Sequence, residues 1–324
     1  GNNPEIAVDW YETTPSGTST KVKTETGLKT EYSYSFTAQR SQNGNTYHCV
    51  LRPSKTKSLT SGKASLTVYY PPTLDGNKPA DLVLNTGSSG IFETSVTTAG
   101  NPASYTYQWY YATASAPSTW NKCTESSATS AKLTITASNG MNGRTYKCIV
   151  SQKASMTGSN TYTASVTSRI AKLTVYYPPV LDSTYPKDVT TVAGKAVSFS
   201  VSISTAGNPA NYTYQWYKKA SASASGAAIS GATGATYNIA AASVTKSINN
   251  TYYYCVVSTV SSHSTYGKFS VTSRTAKLTV YYTPVLNSAY PKDVTVKVGA
   301  NASFSVSIST AGNPASYTYQ WYVN

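Results

Sequence analysis

This chain of 324 residues carries only two histidines, four cysteines and twelve carboxylates, the side chains most used for acid–base and metal chemistry. His48 sits between Tyr47 and Cys49 in an alternating stretch that turns it outward, and His263 lies in a different part of the chain. No pair of carboxylates recurs at a spacing suited to proton transfer, and neither a Gly-rich phosphate loop nor a Ser/His/Asp order is present. The cysteines include no C-x-x-C pair, which removes a metal site as their purpose. Asp188 and Asp293 recur in a Tyr-Pro-Lys-Asp-Val phrase. Calcium would need about six oxygens or more, so these two acids are expected to pair with a Lys or cap a turn. Asn211-Tyr-Thr, Asn249-Asn-Thr and Asn301-Ala-Ser fit the N-glycan acceptor pattern, as chance allows in a chain so rich in Ser and Thr. Catalysis is not expected, and no cofactor is implied.

What the chain has in quantity is repetition. Thr98-Ala-Gly-Asn-Pro-Ala-Ser-Tyr-Thr-Tyr-Gln-Trp-Tyr110 returns letter for letter at residues 310–322, and with one change at 205–217. The copies begin 107 and then 105 residues apart, so the chain is a tandem array of one domain of about 100 residues. Charged residues make up only 12% of it and tyrosines number 29, a composition suited to pleated, half-buried strands. No run of about 18 apolar residues occurs, so no membrane span is expected. The first residues, Gly-Asn-Asn-Pro, do not read as a secretory signal.

In the third copy Val197, Phe199, Val201 and Ile203 alternate with serines, which predicts one half-buried strand. Gly207-Asn208-Pro209 makes a turn. Tyr212, Tyr214 and Trp216 then form a second inward row, Tyr253, Cys255 and Val257 a third, and Leu278, Val280 and Tyr282 a fourth. Short alternating strands between Ser/Gly/Ala-rich turns predict an all-β chain of tandem antiparallel sandwiches. A mid-strand Trp followed later by Tyr-x-Cys resembles the strand C and strand F signature of the immunoglobulin-like (Ig-like) fold. It occurs as Trp10 with Tyr47 and Cys49, Trp109 with Tyr146 and Cys148, and Trp216 with Tyr253 and Cys255, while Trp321 repeats the strand C half. The resemblance implies that Tyr47, Tyr146 and Tyr253 are tyrosine-corner residues whose hydroxyls tie back to the backbone. Asn43, Asn142 and Asn249, six residues before each Cys, stand where that family often has Asp.

The chain departs from the family in strand B, where Thr94, Val201 and Val306 replace the second cysteine. The usual inter-sheet disulfide is therefore absent, and Cys255 is expected to pack as a small buried hydrophobe. Cys123 has no counterpart in the other copies. A Cys123–Cys148 bridge needs Cα atoms within about 7 Å, and two unpaired thiols are the expectation. The phrases Trp120-Asn-Lys-Cys123 and Asn-Gly-Arg-Thr-Tyr-Lys-Cys148 resemble tandem Ig-like repeats of large Gram-positive-type bacterial surface proteins, which implies an extracellular, cell-surface location. Some such domains are stiffened by Lys–Asn isopeptide bonds beside a buried carboxylate. Every core row identified here is apolar or aromatic, so that chemistry is not expected.

The expected divisions are 1–72, an Ig-like domain lacking strands A and B; 73–179 and 180–283, complete domains; and 284–324, strands A to C of another. Pro4 precedes Trp10 much as Pro102 precedes Trp109. The ends fit either a window on a longer array or a subunit whose last strands complete the first domain of a neighbour. Strand C would then be supplied twice, by Trp10 and Trp321, which favours the window. Between divisions, Val68-Tyr-Tyr-Pro-Pro72, Val175-Tyr-Tyr-Pro-Pro179 and Val280-Tyr-Tyr-Thr-Pro284 hold the backbone extended. These are semi-rigid joints that make an elongated rod, unlike a Gly/Ser tether. Their tyrosines either pack between neighbours or cap their own sheet.

The net charge of +14 is spread along the chain with no basic run longer than two residues. Nucleic acid is therefore not the expected partner; a glycan or an anionic cell-wall polymer is compatible, as are other copies of the chain or neighbouring repeats. Tyr217, Tyr252, Tyr254, Lys277 and Tyr281 in the third domain, with Tyr110 and Tyr176 in the second, form a candidate outward interaction face. The function expected is a structural and adhesive segment of a bacterial surface protein or extracellular fibre. The alternatives are a bacteriophage virion fibre or decoration protein, and a carbohydrate-binding array attached to an enzyme.

Overall fold

Valine, tyrosine and threonine crowd each other along the chain, and in the computed structural model they take the extended backbone that suits branched and aromatic side chains. Residues 6–54 and 57–323 are described, and no α-helix occurs among them. Pro4 lies outside the described residues. Two compact units form, Gly1–Leu82 with Ser88–Ala137 and Met141–Thr174, and Val83–Gly87 with Ser138–Gly140 and Val175–Asn324.

The first unit opens with β1 (Ala7–Thr13), β2 (Ser19–Thr26), β3 (Thr46–Ser54), β4 (Lys57–Thr60) and β5 (Ala64–Ser65). β1 pairs antiparallel with β2 and β3, and β4 and β5 both pair with β3. Trp10 meets Tyr34 at 6.1 Å, and the rings continue through Phe36 to Tyr47. The expectation that every core row is free of carboxylates fails at Glu12, and Asp9 on the opposite face is buried as well. Asp9 is 2% exposed because Thr24, Arg52 and Lys21 close over it from the flanking strands. Glu12, on the row of Trp10, is capped by Tyr47, Asn45 and Gln42.

Next come β6 (Thr73–Leu74), β7 (Leu82–Asn85), β8 (Ser89–Glu93), β9 (Val96–Thr98), β10 (Thr106–Thr113), β11 (Ala116–Lys122), β12 (Lys132–Thr136), β13 (Thr145–Ser155), β14 (Thr161–Thr167) and β15 (Ala171–Tyr176). β10 lies between β11 and β13, while β8 pairs with β12 in a second sheet. The sheets meet through aromatic rings: Phe92 stacks on Tyr146 at 4.6 Å and reaches Trp109 at 6.4 Å. Burial of this size contributes about 25 cal/mol per Å² of apolar surface.

The second unit contains β16 (Val180–Leu181), β17 (Val189–Val192), β18 (Val197–Ser200), β19 (Ile203–Thr205), β20 (Tyr212–Lys219), β21 (Ala227–Ala228), β22 (Thr236–Ile239), β23 (Tyr252–Thr259), β24 (Ser270–Thr272), β25 (Ala276–Tyr281), β26 (Val285–Leu286) and β27 (Ile308–Thr310). One sheet runs β17-β25-β23-β20-β21 and another pairs β18 with β22. Between them lie Phe199, Trp216, Ile239, Tyr253, Cys255, Val257, Leu278 and Val280. β17 pairs parallel with β25 while the other pairs are antiparallel. An early strand, β17, that crosses to pair with β25, with β20, β23 and β25 adjacent, is Ig-like sandwich topology.

One expected strand is two. Residues 197–203 divide at Val201, because β18 pairs with β22 whereas β19 pairs with β16. Farther on, Phe304 and Trp321 are 55% and 53% exposed, although their counterparts Phe199 and Trp216 are buried.

Candidate functional site at the joints between repeats

The repeated phrase bonds to the backbone of the Tyr-Tyr-Pro or Tyr-Tyr-Thr stretch that precedes it. Tyr70 and Asn101 exchange both backbone hydrogen bonds, at 3.1 and 2.9 Å; Tyr177 and Asn208 do so at 2.9 and 2.9 Å, and Tyr282 and Asn313 at 3.1 and 2.9 Å. The same Asn side chains donate a third bond back to Val68, Val175 and Val280, each at 2.7 Å. The preceding glycine lies hard against the proline-bearing strand. A Cβ on Gly207 would sit 2.6 Å from Pro179 N and 2.7 Å from Tyr177 O, and Gly100 and Gly312 are as confined. Each glycine N–H donates to the hydroxyl of the Tyr five residues on, Tyr105, Tyr212 or Tyr317. Gly, Asn and Tyr in Gly-Asn-Pro-Ala-x-Tyr thus each have a task, and each of the three joints lies within one compact unit.

The asparagines six residues before the cysteines belong to this assembly. Asn43 Oδ1 accepts from Val68 N–H at 3.0 Å and from Asn101 Nδ2 at 3.1 Å, and Asn249 Oδ1 accepts from Val280 N–H at 2.9 Å. The tyrosines of these stretches meet aromatic or imidazole rings far along the chain. Tyr69 stacks on Tyr162 at 5.2 Å, and Tyr176 meets His263 at 6.3 Å. Gln152, 3% exposed, donates to Tyr70 O at 2.8 Å and Asn101 O at 3.0 Å, and the Arg40 guanidinium lies 4.4 Å from the Tyr70 ring. Sequence reasoning read Gly-Asn-Pro only as a turn; the signal available was an identity longer than a turn requires.

In the third repeat Tyr217, Tyr252, Tyr254, Lys277 and Tyr281 all stand on the side of β20, β23 and β25 that faces away from the core, whereas Tyr110 and Tyr176 belong to the second repeat. Tyr176 is packed in a joint, and Tyr281, 42% exposed, occupies the same place in the next joint phrase. Tyr217 and Tyr254 stack on each other at 5.1 Å, with Lys219 over Tyr254 and Gly226 against its ring. Tyr252 pairs in register with Lys277. Tyr110 stands half-buried between Lys122 and Lys147, and the latter lies 4.0 Å from the Trp120 ring.

Among the signature residues, Trp109 and Trp216 are fully buried and donate to Ser130 O and Gly234 O. In two of the three signature tyrosines the hydroxyl does not tie back to the backbone as the resemblance implies. Tyr47 donates to the Glu12 carboxylate, and the Tyr146 hydroxyl is buried with no hydrogen-bond partner. Burial raises both hydroxyls, and the Glu12 charge raises Tyr47 further. All four cysteines are free. Cys123 and Cys148 flank Trp109 on opposite neighbouring strands, about two strand spacings, or 9–10 Å, apart, beyond the reach of a disulfide. Burial pushes both thiols up to about 12, and that of Cys255 to about 11, so they are poor nucleophiles at neutral pH. Asp188 pairs with Arg274 at 3.2 Å rather than with a Lys, and it also caps Lys277 N–H. Among the described residues no three His, Cys, Asp or Glu come together to hold a metal ion, and no helix is long and apolar enough to cross a membrane.

No protein-family model matches this chain, and no curated protein does. Solved structures similar to it are tandem Ig-like domain proteins. An I-band fragment of titin is 17% identical over 85% of this chain and 88% of that one, with a TM-score of 0.46. Three N-terminal domains of the outer capsid protein Hoc of bacteriophage RB49 are 14% identical over 86% and 89%, with a TM-score of 0.38. The insect immune protein hemolin is 14% identical over 84% and 67%, with a TM-score of 0.32. At such scores the fold assignment stands on the strand order within the sheets.

Proposed function

We propose that this chain is a non-catalytic structural and adhesive repeat segment of an extracellular, bacterial cell-surface protein, in which Ig-like domains are held at set intervals by stiff joints. In this reading the domains divide at 72, 179 and 283, at the end of the Tyr-Tyr-Pro-Pro phrases and inside the Tyr-Tyr-Thr-Pro phrase. The observation that carries the reading is the thrice-repeated backbone bridge of Tyr70, Tyr177 and Tyr282 with Asn101, Asn208 and Asn313. A flexible tether has no use for such a device, whereas a spacer requires it. The partners are neighbouring repeats, and a glycan or anionic wall polymer drawn to the basic surface. Small-angle scattering on the whole chain tests the spacer role: a Gly100→Val, Gly207→Val variant with intact sandwiches is expected to lose the well-defined maximum dimension of the parent. Identical scattering profiles would sink it.

A further inference from the structure

We propose that the third repeat carries a binding cleft for an acidic sugar, a uronic-acid unit of monosaccharide size, at the end of the sandwich where β20 runs out. Three register-equivalent positions decide where the cleft lies. The residue two beyond the core Trp faces the inward Tyr of the neighbouring strand: Glu12 opposite Tyr47, Tyr111 opposite Tyr146, and Lys218 opposite Tyr253. In the first repeat this end is closed, because Tyr47, Asn45 and Gln42 all donate to the Glu12 carboxylate. In the second it is filled by Arg144, 4.4 Å from the Tyr111 ring, and by buried Met141.

In the third repeat the corresponding residues leave this end open. Thr251 stands where the others have Asn45 and Arg144, and the connection from Ile239 to Cys255 is three residues longer than that from Ile135 to Cys148. The result is a cleft of 510 Å³, within the range of small-ligand sites. Lys218, Ser225, Ser243, Ser247 and Thr251 line it, and Tyr237 and Tyr253 supply its aromatic part. No carboxylate is among the lining residues. The only acids between residues 180 and 283 are Asp182 and Asp188, and Asp188 is held by Arg274. Lys218 is exposed and pairs through its backbone with Ala227 and Tyr253, while its ammonium makes no ion pair among the described residues; Lys219, which also lines the cleft, donates its ammonium to Ala222 O at 2.7 Å. An unpaired ammonium beside four hydroxyls and an aromatic wall matches one ligand chemistry. The ammonium takes a carboxylate in a charge-assisted bond, the hydroxyls exchange hydrogen bonds with a sugar's own, and a tyrosine ring packs on the apolar face of the pyranose.

The test is a titration of the whole chain with glucuronic acid, followed through backbone amide resonances, with glucose and inorganic phosphate as comparators. Glucuronic acid is expected to move the amides of Lys218, Ser247 and Thr251 first. Lys218→Met should weaken binding by about tenfold, Lys218→Arg should largely restore it, and Lys268→Met, away from the cleft, should leave it unchanged. Ser247→Tyr, which fills the cleft without touching the charge, should abolish it. Equal shifts with phosphate, shifts shared evenly by lysines along the chain, or binding that survives both Lys218→Met and Ser247→Tyr would overturn the assignment. The spacing role does not depend on this result, since the cleft and the joints use different residues.

Discussion

One added methyl group is enough to break the joint at Gly207. The atoms it would meet, Pro179 N and Tyr177 O, are backbone and cannot swing aside. Gly207→Ala is therefore expected to cost about 1–3 kcal/mol. Hydrogen exchange should show the amides of Tyr177 and Asn208 losing protection while Cys255 N–H, bonded to Ser273, stays slow; retained protection at Asn208 would refute the clash. A second residue-scale prediction concerns pH. The Thr24 hydroxyl, followed by the charges of Arg52 and Lys21, holds Asp9 below the usual carboxylate range against the opposing effect of burial. A depressed folded value means that its stabilisation is present above the unfolded pKa of about 3.9 and disappears as pH falls through the folded one. Melting of the first repeat should accordingly weaken below about pH 4. Asp9→Asn should lower stability at neutral pH by about 1–3 kcal/mol and flatten that acid slope; an unchanged slope in thermal melts would remove Asp9 from the account. Neither residue announced its role in sequence. Alternation tells which face a side chain takes, but Asp9 is on the outward face and is buried only because long cations on β2 and β3 fold over it.

At the level of strands, the inward rows were legible because burial and period coincide. Trp216, Tyr253, Cys255, Val257, Leu278 and Val280 all lie in the core where the alternation put them. What alternation could not show was partner choice. Backbone bonds carry no side-chain signature, so nothing in residues 197–205 reveals that the strand changes partners at Val201, or that Tyr70 bridges to Asn101. The entry to each F strand shows how much one turn carries. Gly44, Gly143 and Asn250 occupy the same left-handed position, at φ of 84, 80 and 62°, where Gly and Asn are the tolerated residues. The Asn before it, Asn43 or Asn249, then accepts from the backbone N–H of Val68 or Val280, just ahead of the paired tyrosines. Asn249→Ala would leave the Val280 N–H unpaired in a half-buried setting, and a loss of about 1–3 kcal/mol is expected. Denaturant melts monitored at Trp216 would report it, with faster exchange at Val280. An effect below about 0.5 kcal/mol, the range of ordinary surface changes, would mean that water replaces the amide oxygen without cost.

For the chain as a whole, the joints decide whether the repeats unfold as independent beads or as coupled neighbours. In a linear array, stability is a sum of repeat terms and nearest-neighbour terms. Each neighbour term here includes two reciprocal backbone bonds and an Asn side-chain bond, and the first and second joints add the packing of Tyr69 on Tyr162 and of Tyr176 on His263. Net hydrogen bonds are worth about 0.5–1.5 kcal/mol each, and a stacked aromatic pair adds about as much. Coupling of a few kcal/mol per joint should therefore bind neighbouring repeats into one cooperative transition. Breaking a joint by Gly100→Val should split the calorimetric transition of the full chain, with the second repeat melting apart from the first. Gly226→Val is the matched control, since it crowds Tyr254 away from every joint and should shift a single repeat without uncoupling its neighbours. If the parent already melts as separate repeats, or if Gly100→Val lowers one transition without dividing it, the bridges position the repeats without coupling them, and stiffness would have to come from the prolines alone.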